Sequence, residues 1–383
     1  MRSQRTGAHL LNVPRSRAAF PHFLAFFLIF FSAALPDASA QWRMSPPAAS
    51  SVPPRARQRP APVALPFVNL DQVFAKWNFV REPTRVPGIA RWKNASSQIE
   101  SESGKTFITI HGVRIWIGSP ISETRGIFYM RRADYENTLL PLVAPTLAGG
   151  RPPRRVTHVL LDPGHGGKDA GGQSIAKHLH EKNLTLDVAR RLKFILERAG
   201  LRVSMTRTTD VFVPLSERPA MAARVGADLF VSIHFNALSA SPSAAGIETY
   251  ALAPAGQYAT NDSRRATSGN NLNAREIGHA FNTWNTLLSY QIQSNLIRKT
   301  PAIDRGLRRA RFVVLKDAPV PATLVECGFL SNPNEATKIN TGAHREKIAQ
   351  GIANGILRYK TITDAIAPPH HPAPNKPHPQ FRR

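Results

Sequence analysis

The sequence predicts an α/β protein, a sheet with crossover helices, preceded by a small α+β module. From residue 156 onward, short apolar runs alternate with amphipathic helical stretches, the pattern of strands joined by crossover helices. Upstream, proline-rich stretches at 46–66 and 145–153 bracket a segment whose apolar residues alternate singly with polar ones. With 383 residues and 42% hydrophobic content, the chain is long enough for two or three units and at least one substantial core.

The first 40 residues read as a secretory signal. Arg2, Arg5, Arg15 and Arg17 precede the apolar run 23–35 and the small residues Ala38-Ser-Ala40, so cleavage would leave Gln41 first. The competing reading is a retained membrane anchor. A span needs about 20 apolar residues, and this run is shorter and is followed by Pro36. No cysteine stands near the cut, which excludes a lipoprotein anchor. A periplasmic or secreted protein is expected, meeting the membrane only in transit. The single cysteine, Cys327, cannot form an intramolecular disulfide, so the fold must rest on its core.

Charge narrows the partners. The chain carries a formal +25, and removal of residues 1–40 leaves 46 basic against 24 acidic residues, a formal +22. The sequence has neither an aromatic and basic RNA-binding signature nor zinc-finger spacing, so nucleic acid is not expected. An anionic envelope polymer or surface suits an exported protein of this charge.

Residues 41–66, rich in Pro, Ala, Ser and Arg without a sustained period, form a tether. In the module at 67–144, a short helix is predicted at 70–77. The alternating run 106–117 turns at Gly112 and suits a hairpin, and a second helical stretch covers 132–142. This module loosely resembles the copper-amine-oxidase N-terminal-like modules of some envelope proteins, with no copper site implied. A linker at 145–154 follows.

In the larger unit, the apolar run 156–161 is a strand, and residues 183–199 form a helix burying Leu184, Val188, Leu192, Ile195 and Leu196, with Gly200 placed to end it. Strand 201–205, helix 215–225 and the buried strand 228–234 come next. Residues 255–269 are polar and turn-rich, a candidate lid. Residues 273–299 form a long helix turning Ile277, Phe281, Trp284, Leu288, Ile292 and Leu296 to the core. Short strands are expected at 313–315 and 323–325, a closing helix at 345–359, and a disordered Pro- and His-rich tail over 362–383.

The chemistry sits where strands end. His165 lies between glycines in Leu-Asp-Pro-Gly-His-Gly-Gly (161–167), a turn that allows close backbone approach and projects the imidazole into a cleft. His234 ends another strand, and Glu181 sits just before the 183–199 helix. In open α/β sheets, ligands bind at the carboxyl ends of the strands. Two histidines, a glutamate and one open position make a recognised catalytic zinc set, although separations of 16 and 53 residues do not establish it alone. Glu326 follows an apolar strand and precedes Gly328. One such carboxylate can take a proton from water and return it to a leaving amine; a helix cap or an arginine partner is its structural alternative. Glu276, on the long helix, reads as an exposed glutamate. Cys327 should point to the opposite face from Glu326, as a packed thiol.

Six stretches, in order over roughly 155–360, resemble the zinc-dependent N-acetylmuramoyl-L-alanine amidases of the amidase-3 group, which includes the cell-separation amidases. They are Leu-Asp-Pro-Gly-His-Gly-Gly (161–167), Glu-Lys-Asn-Leu-Thr-Leu (181–186), Met-Thr-Arg-Thr-Thr-Asp (205–210), Leu-Ser-Glu-Arg (215–218), Ser-Ile-His-Phe-Asn-Ala (232–237) and Val-Glu-Cys-Gly-Phe-Leu-Ser-Asn (325–332). The resemblance implies a twisted, mostly parallel or mixed sheet flanked by helices, of the phosphorylase/hydrolase-like kind, over a catalytic domain at 155–361. It implies that His165, Glu181 and His234 bind Zn2+ and that Glu326 is the catalytic glutamate. Arg207, Asp210 and Arg218 match as well and are expected to pair charges structurally, while Asn236 either orients the site or caps a turn. Some relatives carry an autoinhibitory helix in the region of 238–300, where Glu276 lies.

The expected activity is hydrolysis of the amide between N-acetylmuramic acid and L-alanine in peptidoglycan, in wall remodelling or daughter-cell separation, with an envelope activator protein as a further partner. Two alternatives stand beside it: a zinc peptidase acting on the stem peptides, and a non-catalytic envelope-binding protein.

Overall fold

The computed structural model describes residues 67–150, 153–174, 177–238, 240–260 and 272–367. The expected signal, the tether, residues 261–269 of the candidate lid and the tail from 368, with His370, His371 and His378, lie outside the described residues.

The chain enters through β1 (Phe67–Asn69) and α1 (Leu70–Ala75), whose first turn is capped by the Asn69 side chain accepting from Gln72 N. An antiparallel meander follows: β2 (Val80–Glu82), β3 (Ile89–Lys93), β4 (Gln98–Glu102), β5 (Phe107–Ile110) and β6 (Val113–Trp116). The expected hairpin is β5–β6, turning at His111-Gly112. Strands β7 (Ser122–Thr124) and β8 (Ile127–Arg131) pair with each other, and β8 also pairs with β1. Alternation buries Ile99, Ile108 and Ile115 on one face, where Phe74, Trp92 and Phe128 pack, with ring centroids 4.9 and 6.0 Å from Trp92. Helical residues 132–143 follow as α2 (Arg132–Asp134), a π-helical turn and α3 (Leu140–Val143).

The larger unit runs β9 (His158–Pro163), β10 (Gln173–Ser174), β11 (Leu179–His180), α4 (Glu181–Arg198), β12 (Arg202–Met205), α5 (Glu217–Val225), β13 (Leu229–Asn236) and β14 (Ile247–Leu252). It continues with α6 (Asn282–Lys299), β15 (Asp304–Ala310), α7 (Val313–Lys316), β16 (Ala322–Phe329), α8 (Pro333–Ile339) and α9 (Gly342–Ile366). Its sheet is mixed: β12, β9, β13 and β16 are parallel neighbours, while β14 runs antiparallel to β16 and parallel to β15. Helices α4, α6 and α9 bury one face through Leu192, Leu288, Ile292 and Ile352, and Cys327 packs into that core as expected. The expected α/β sheet flanked by helices is therefore present.

The sheet does not stop at the larger unit. Strand β15 lies parallel to β6, with Leu307 opposite Ile115, so the described residues form one eleven-stranded sheet from β12 to β2. Arg114 N donates to Asp304 Oδ2 at 2.7 Å and Trp116 Nε1 to the Arg305 carbonyl at 2.8 Å. The junction needs Gly306: its φ is +90°, and a Cβ there would stand 2.5 Å from the Arg114 carbonyl oxygen.

Four expectations are corrected. Residues 313–315 form the helical turn α7 rather than a strand, since so short an apolar run does not distinguish the two. The 273–299 helix divides into a 3-10 turn at Ile277–Phe281 and α6. Three residues per turn shifts the phase, leaving Ile277 59% exposed. Glu181 is the first residue of α4 and not a residue ahead of it. The closing helix continues to Ile366 through buried Tyr359 and Thr363, because neither Gly nor Pro occurs between Gly355 and Pro368, so the tail boundary at 362 falls inside it.

Asp134 is buried beside this junction, accepting from Gly118 N at 2.7 Å. Burial raises its carboxyl to about 6, against which the backbone hydrogen bonds and Arg309 pull only in part. Between pH 4 and 6 the folded protein therefore holds a proton that the unfolded chain has lost, and stability falls as pH rises through that window, by about 3 kcal/mol. Asp134→Asn, which keeps an acceptor and removes the ionisation, should gain that much on wild type between pH 4 and 6.5 in urea unfolding. Parallel pH curves for the two proteins would overturn the assignment.

Candidate active site

At the carboxyl end of β9, the chain turns sharply under the control of two buried arginines. Asp162 lies fully buried, its Oδ1 accepting from Thr206 Oγ1 at 2.7 Å and Arg218 Nη1 at 2.9 Å, and its Oδ2 from Ser232 Oγ at 2.8 Å. Arg218 also donates to the carbonyls of Pro163 and His165, and Arg207 to those of Pro163, Gly164 and Lys182. Arg218 is thus the expected charge partner, whereas Arg207 is held by carbonyls. Asp210 completes the turn by taking Gly167 N and Lys182 Nζ. In this clamp His165 adopts φ +62°, a left-handed conformation that costs a non-glycine residue energy and needs such support.

The structure brings the three expected ligand residues together. Ligand atoms of His165, Glu181 and His234 lie within 4.8 Å of one another. Glu181 is buried at the start of α4, its carboxylate fixed by Phe235 N at 2.9 Å and Gly172 N at 2.7 Å. His165 Nε2 is 3.1 Å from Glu181 Oε2, and His234 Nδ1 is 2.9 Å from Oε1. Burial alone would raise the Glu181 carboxyl, but hydrogen bonds with His165 and His234 hold it well below the usual range. Burial alone would lower the His165 imidazole, which its bonds to Glu181 and Asp169 instead raise. The rings of His165 and His234 meet edge to face at 4.9 Å. At Gly164, a Cβ would sit 2.2 Å from His234 Cε1, so this approach is open only to glycine.

Glu326 stands one strand away. In the β13–β16 ladder its register partner is His234, and across β14 its partner is Glu248. Its side chain lines the same cleft, of about 590 Å³, with Asp162, Arg218, Asn236, Phe312 and Leu324. Burial first, then the charges of Glu181 and Glu248, push its carboxyl well above the usual carboxylate range. Its Oε2 is buried without a hydrogen-bond partner among the described residues. Among the described residues, neither structural alternative for Glu326, a helix cap or an arginine partner, is present.

Two residues escaped sequence reasoning. Asp169 Oδ2 lies 2.8 Å from His165 Nδ1, orienting the ring, and its spacing of four residues from a candidate ligand was the available signal. Glu248, buried on β14, accepts from Asn236 Nδ2 at 3.1 Å and Tyr250 Oη at 2.8 Å, so Asn236 is tied to the site and caps no turn. A glutamate inside the apolar run Ile-Glu-Thr-Tyr (247–250) was the signal there. Glu276 is not in this cluster; it caps the 3-10 turn, paired with His279. His158 is buried between Gly226 O and Ser204 Oγ.

An α/β sheet that gathers two histidines and two glutamates at its strand ends has the makings of a metal-dependent hydrolase. Residues 159–358, just over half of the chain, match the N-acetylmuramoyl-L-alanine amidase family, Amidase_3, and the chain belongs to it. The amidase AmiA of Salmonella typhimurium is 36% identical over 220 residues, covering 52% of this chain and 75% of its own length. AmiC of Neisseria meningitidis is 35% identical over 247 residues, covering 60% of this chain and 58% of its own. Among solved structures, an N-acetylmuramoyl-L-alanine amidase from Clostridium difficile 630 is 32% identical with a TM-score of 0.44, covering 54% of this chain and 97% of its own. The protein is thus a cell-wall hydrolase, an amidase whose substrate is peptidoglycan.

Arg218→Ala should cost about 3–5 kcal/mol in denaturant unfolding, because it leaves the Asp162 carboxylate buried without its cation. A cost below about 1 kcal/mol would mean that the pair does not hold the turn.

Proposed function

We propose that His165, Glu181 and His234 hold a zinc ion and that Glu326 is the proton-transfer residue for hydrolysis of the amide between N-acetylmuramic acid and L-alanine. The observation that carries this reading is the arrangement of Glu326: in register with His234, facing the same cleft, with one buried oxygen left unpartnered. The donor set suits zinc, with two imidazoles and one carboxylate whose orientations are already fixed. The space is also kept clear, since a Cβ at residue 171 would fall 2.6 Å from both Glu181 Oε2 and His165 Cδ2.

Zinc held there supplies Lewis acidity, polarising the scissile carbonyl and bringing the pKa of water towards about 7. Glu326 accepts the proton of the water as its oxygen bonds to the carbonyl carbon. It then delivers that proton to the alanine nitrogen as the C–N bond breaks, so the stem peptide leaves as an amine and the lactyl group as a carboxylate. A carboxyl that burial and neighbouring negative charge push upward keeps a proton well, as the second half of this cycle requires. Asp169 holds the tautomer and plane of His165.

The setting belongs to the same reading. Residues 1–40 direct export, which brings the basic chain to the wall outside the cytoplasm, and no described helix is long and apolar enough to cross a membrane. Wall remodelling or daughter-cell separation is the role, with 67–144 as accessory module, 155–361 as catalytic domain and an envelope protein as activator. Family membership favours the amidase over the stem peptidase and over a non-catalytic binder.

Digestion of purified peptidoglycan, read by mass spectrometry, tests the chemistry. Intact stem peptides and peptide-free glycan should appear, disappear with chelator and return with zinc. Glu326→Gln should lower kcat by about 10²–10⁴-fold while retaining metal by elemental analysis, whereas His165→Ala should lose the metal. Internal cuts in the stems would transfer the reading to a peptidase.

A further inference from the structure

The face of the sheet that carries Glu326 continues past the catalytic cleft. Beside Glu326 lies Glu248, and Arg305 Nε and Arg308 Nε of β15 both stand 2.8 Å from Glu248 Oε2. The next strand, β6, belongs to the accessory module and presents Arg114 and Trp116. The Arg308 guanidinium stacks 4.7 Å from the Trp116 ring centroid, and that of Arg114 lies 4.7 Å from Phe107 and 5.8 Å from Trp116. Trp116 is fixed in turn by its bond to the Arg305 carbonyl. Arg305, Arg308, Arg114, Trp116 and Phe107 are all half-buried.

Two guanidiniums pair with the one carboxylate and the third, that of Arg114, makes no ion pair among the described residues, so these four groups together carry two positive charges in excess. Stacked arginines are pre-oriented and present their N–H edges as forks suited to carboxylates. The rings of Trp116 and Phe107 already hold cations, which favours an anionic ligand over a stacked sugar. From β16 to β6 is three strand spacings, about 14 Å, or roughly four residues of extended peptide. The scissile amide at Glu326 marks the start of the stem peptide, so a stem laid across the strands brings carboxylates from its far end onto this patch.

We propose that Arg305, Arg308 and Arg114 form a carboxylate subsite for the stem peptide, shared between the catalytic sheet and the accessory module. This rests on the amidase reading above. The subsite gives residues 67–144 a role in substrate selection.

The test compares two soluble muramoyl-tetrapeptides, one with free stem carboxylates and one with them amidated, and reads kcat/KM for each. Wild type should favour the free-carboxylate substrate by about tenfold or more, the size of a charge-assisted hydrogen bond. Arg114→Gln should reduce that preference to below about threefold, with Arg114→Lys between the two. The preference is a ratio, so a lower active fraction in a variant does not move it. Wild type without preference, or Arg114→Gln with the preference intact, overturns the subsite and leaves the amidase reading standing. Wild type that cuts either substrate within the stem overturns the amidase reading and the subsite with it.

Discussion

The ion pair between Asp162 and Arg218 is the constraint on which the rest of the site is built. A buried pair of this kind contributes little stability compared with apolar residues of the same volume, because both charges must leave water. Its contribution is geometric. One carboxylate ties the end of β9 to Thr206, to Ser232 on β13 and to Arg218 on α5. The remaining donors of Arg218, with those of Arg207, then hold three consecutive carbonyls in place. Only under that grip does His165 keep a left-handed backbone, and only from that backbone does its ring meet Glu181 and His234.

Two glutamates occupy adjacent strands at one level of the sheet, and their surroundings separate them. Glu248 has two arginines, a tyrosine hydroxyl and an asparagine amide around it. Glu326, its register neighbour, has no ion-pair partner among the described residues and one unpartnered oxygen towards the cleft. A compensated carboxylate is a fixed structural charge, whereas one without compensation exchanges protons readily with whatever enters. In the proposed mechanism the same chemical group thus serves as scaffold on one strand and as reactive group on the next.

Much of this was legible in the sequence because strand ends and glycine turns leave local signatures. The apolar runs stopping at His165, His234 and Glu326 announced a ligand edge, and period-3.6 patterning found α4 and α9. What stayed hidden depends on contacts distant in sequence. The pairing of β6 with β15 joins residues 192 positions apart at Leu307 and Ile115, and no local pattern encodes a partner strand. Glu248 looked like one polar residue in a strand until its arginines were placed. The turn at 313–316 misled because three apolar residues suit either state, and Ile277 because a 3-10 turn breaks the helical period.

The continuity of the sheet through β15 and β6 also bears on how this protein can be cut. A fragment beginning near residue 155 would keep His165, Glu181, His234 and Glu326 and yet leave the backbone donors and acceptors of β15 facing solvent beside the apolar Leu307. Such a bare edge is a template for pairing with another chain. Residues 67–144 cover that edge through β6, so a truncated chain that aggregates would report the loss of this cover rather than damage to the chemistry.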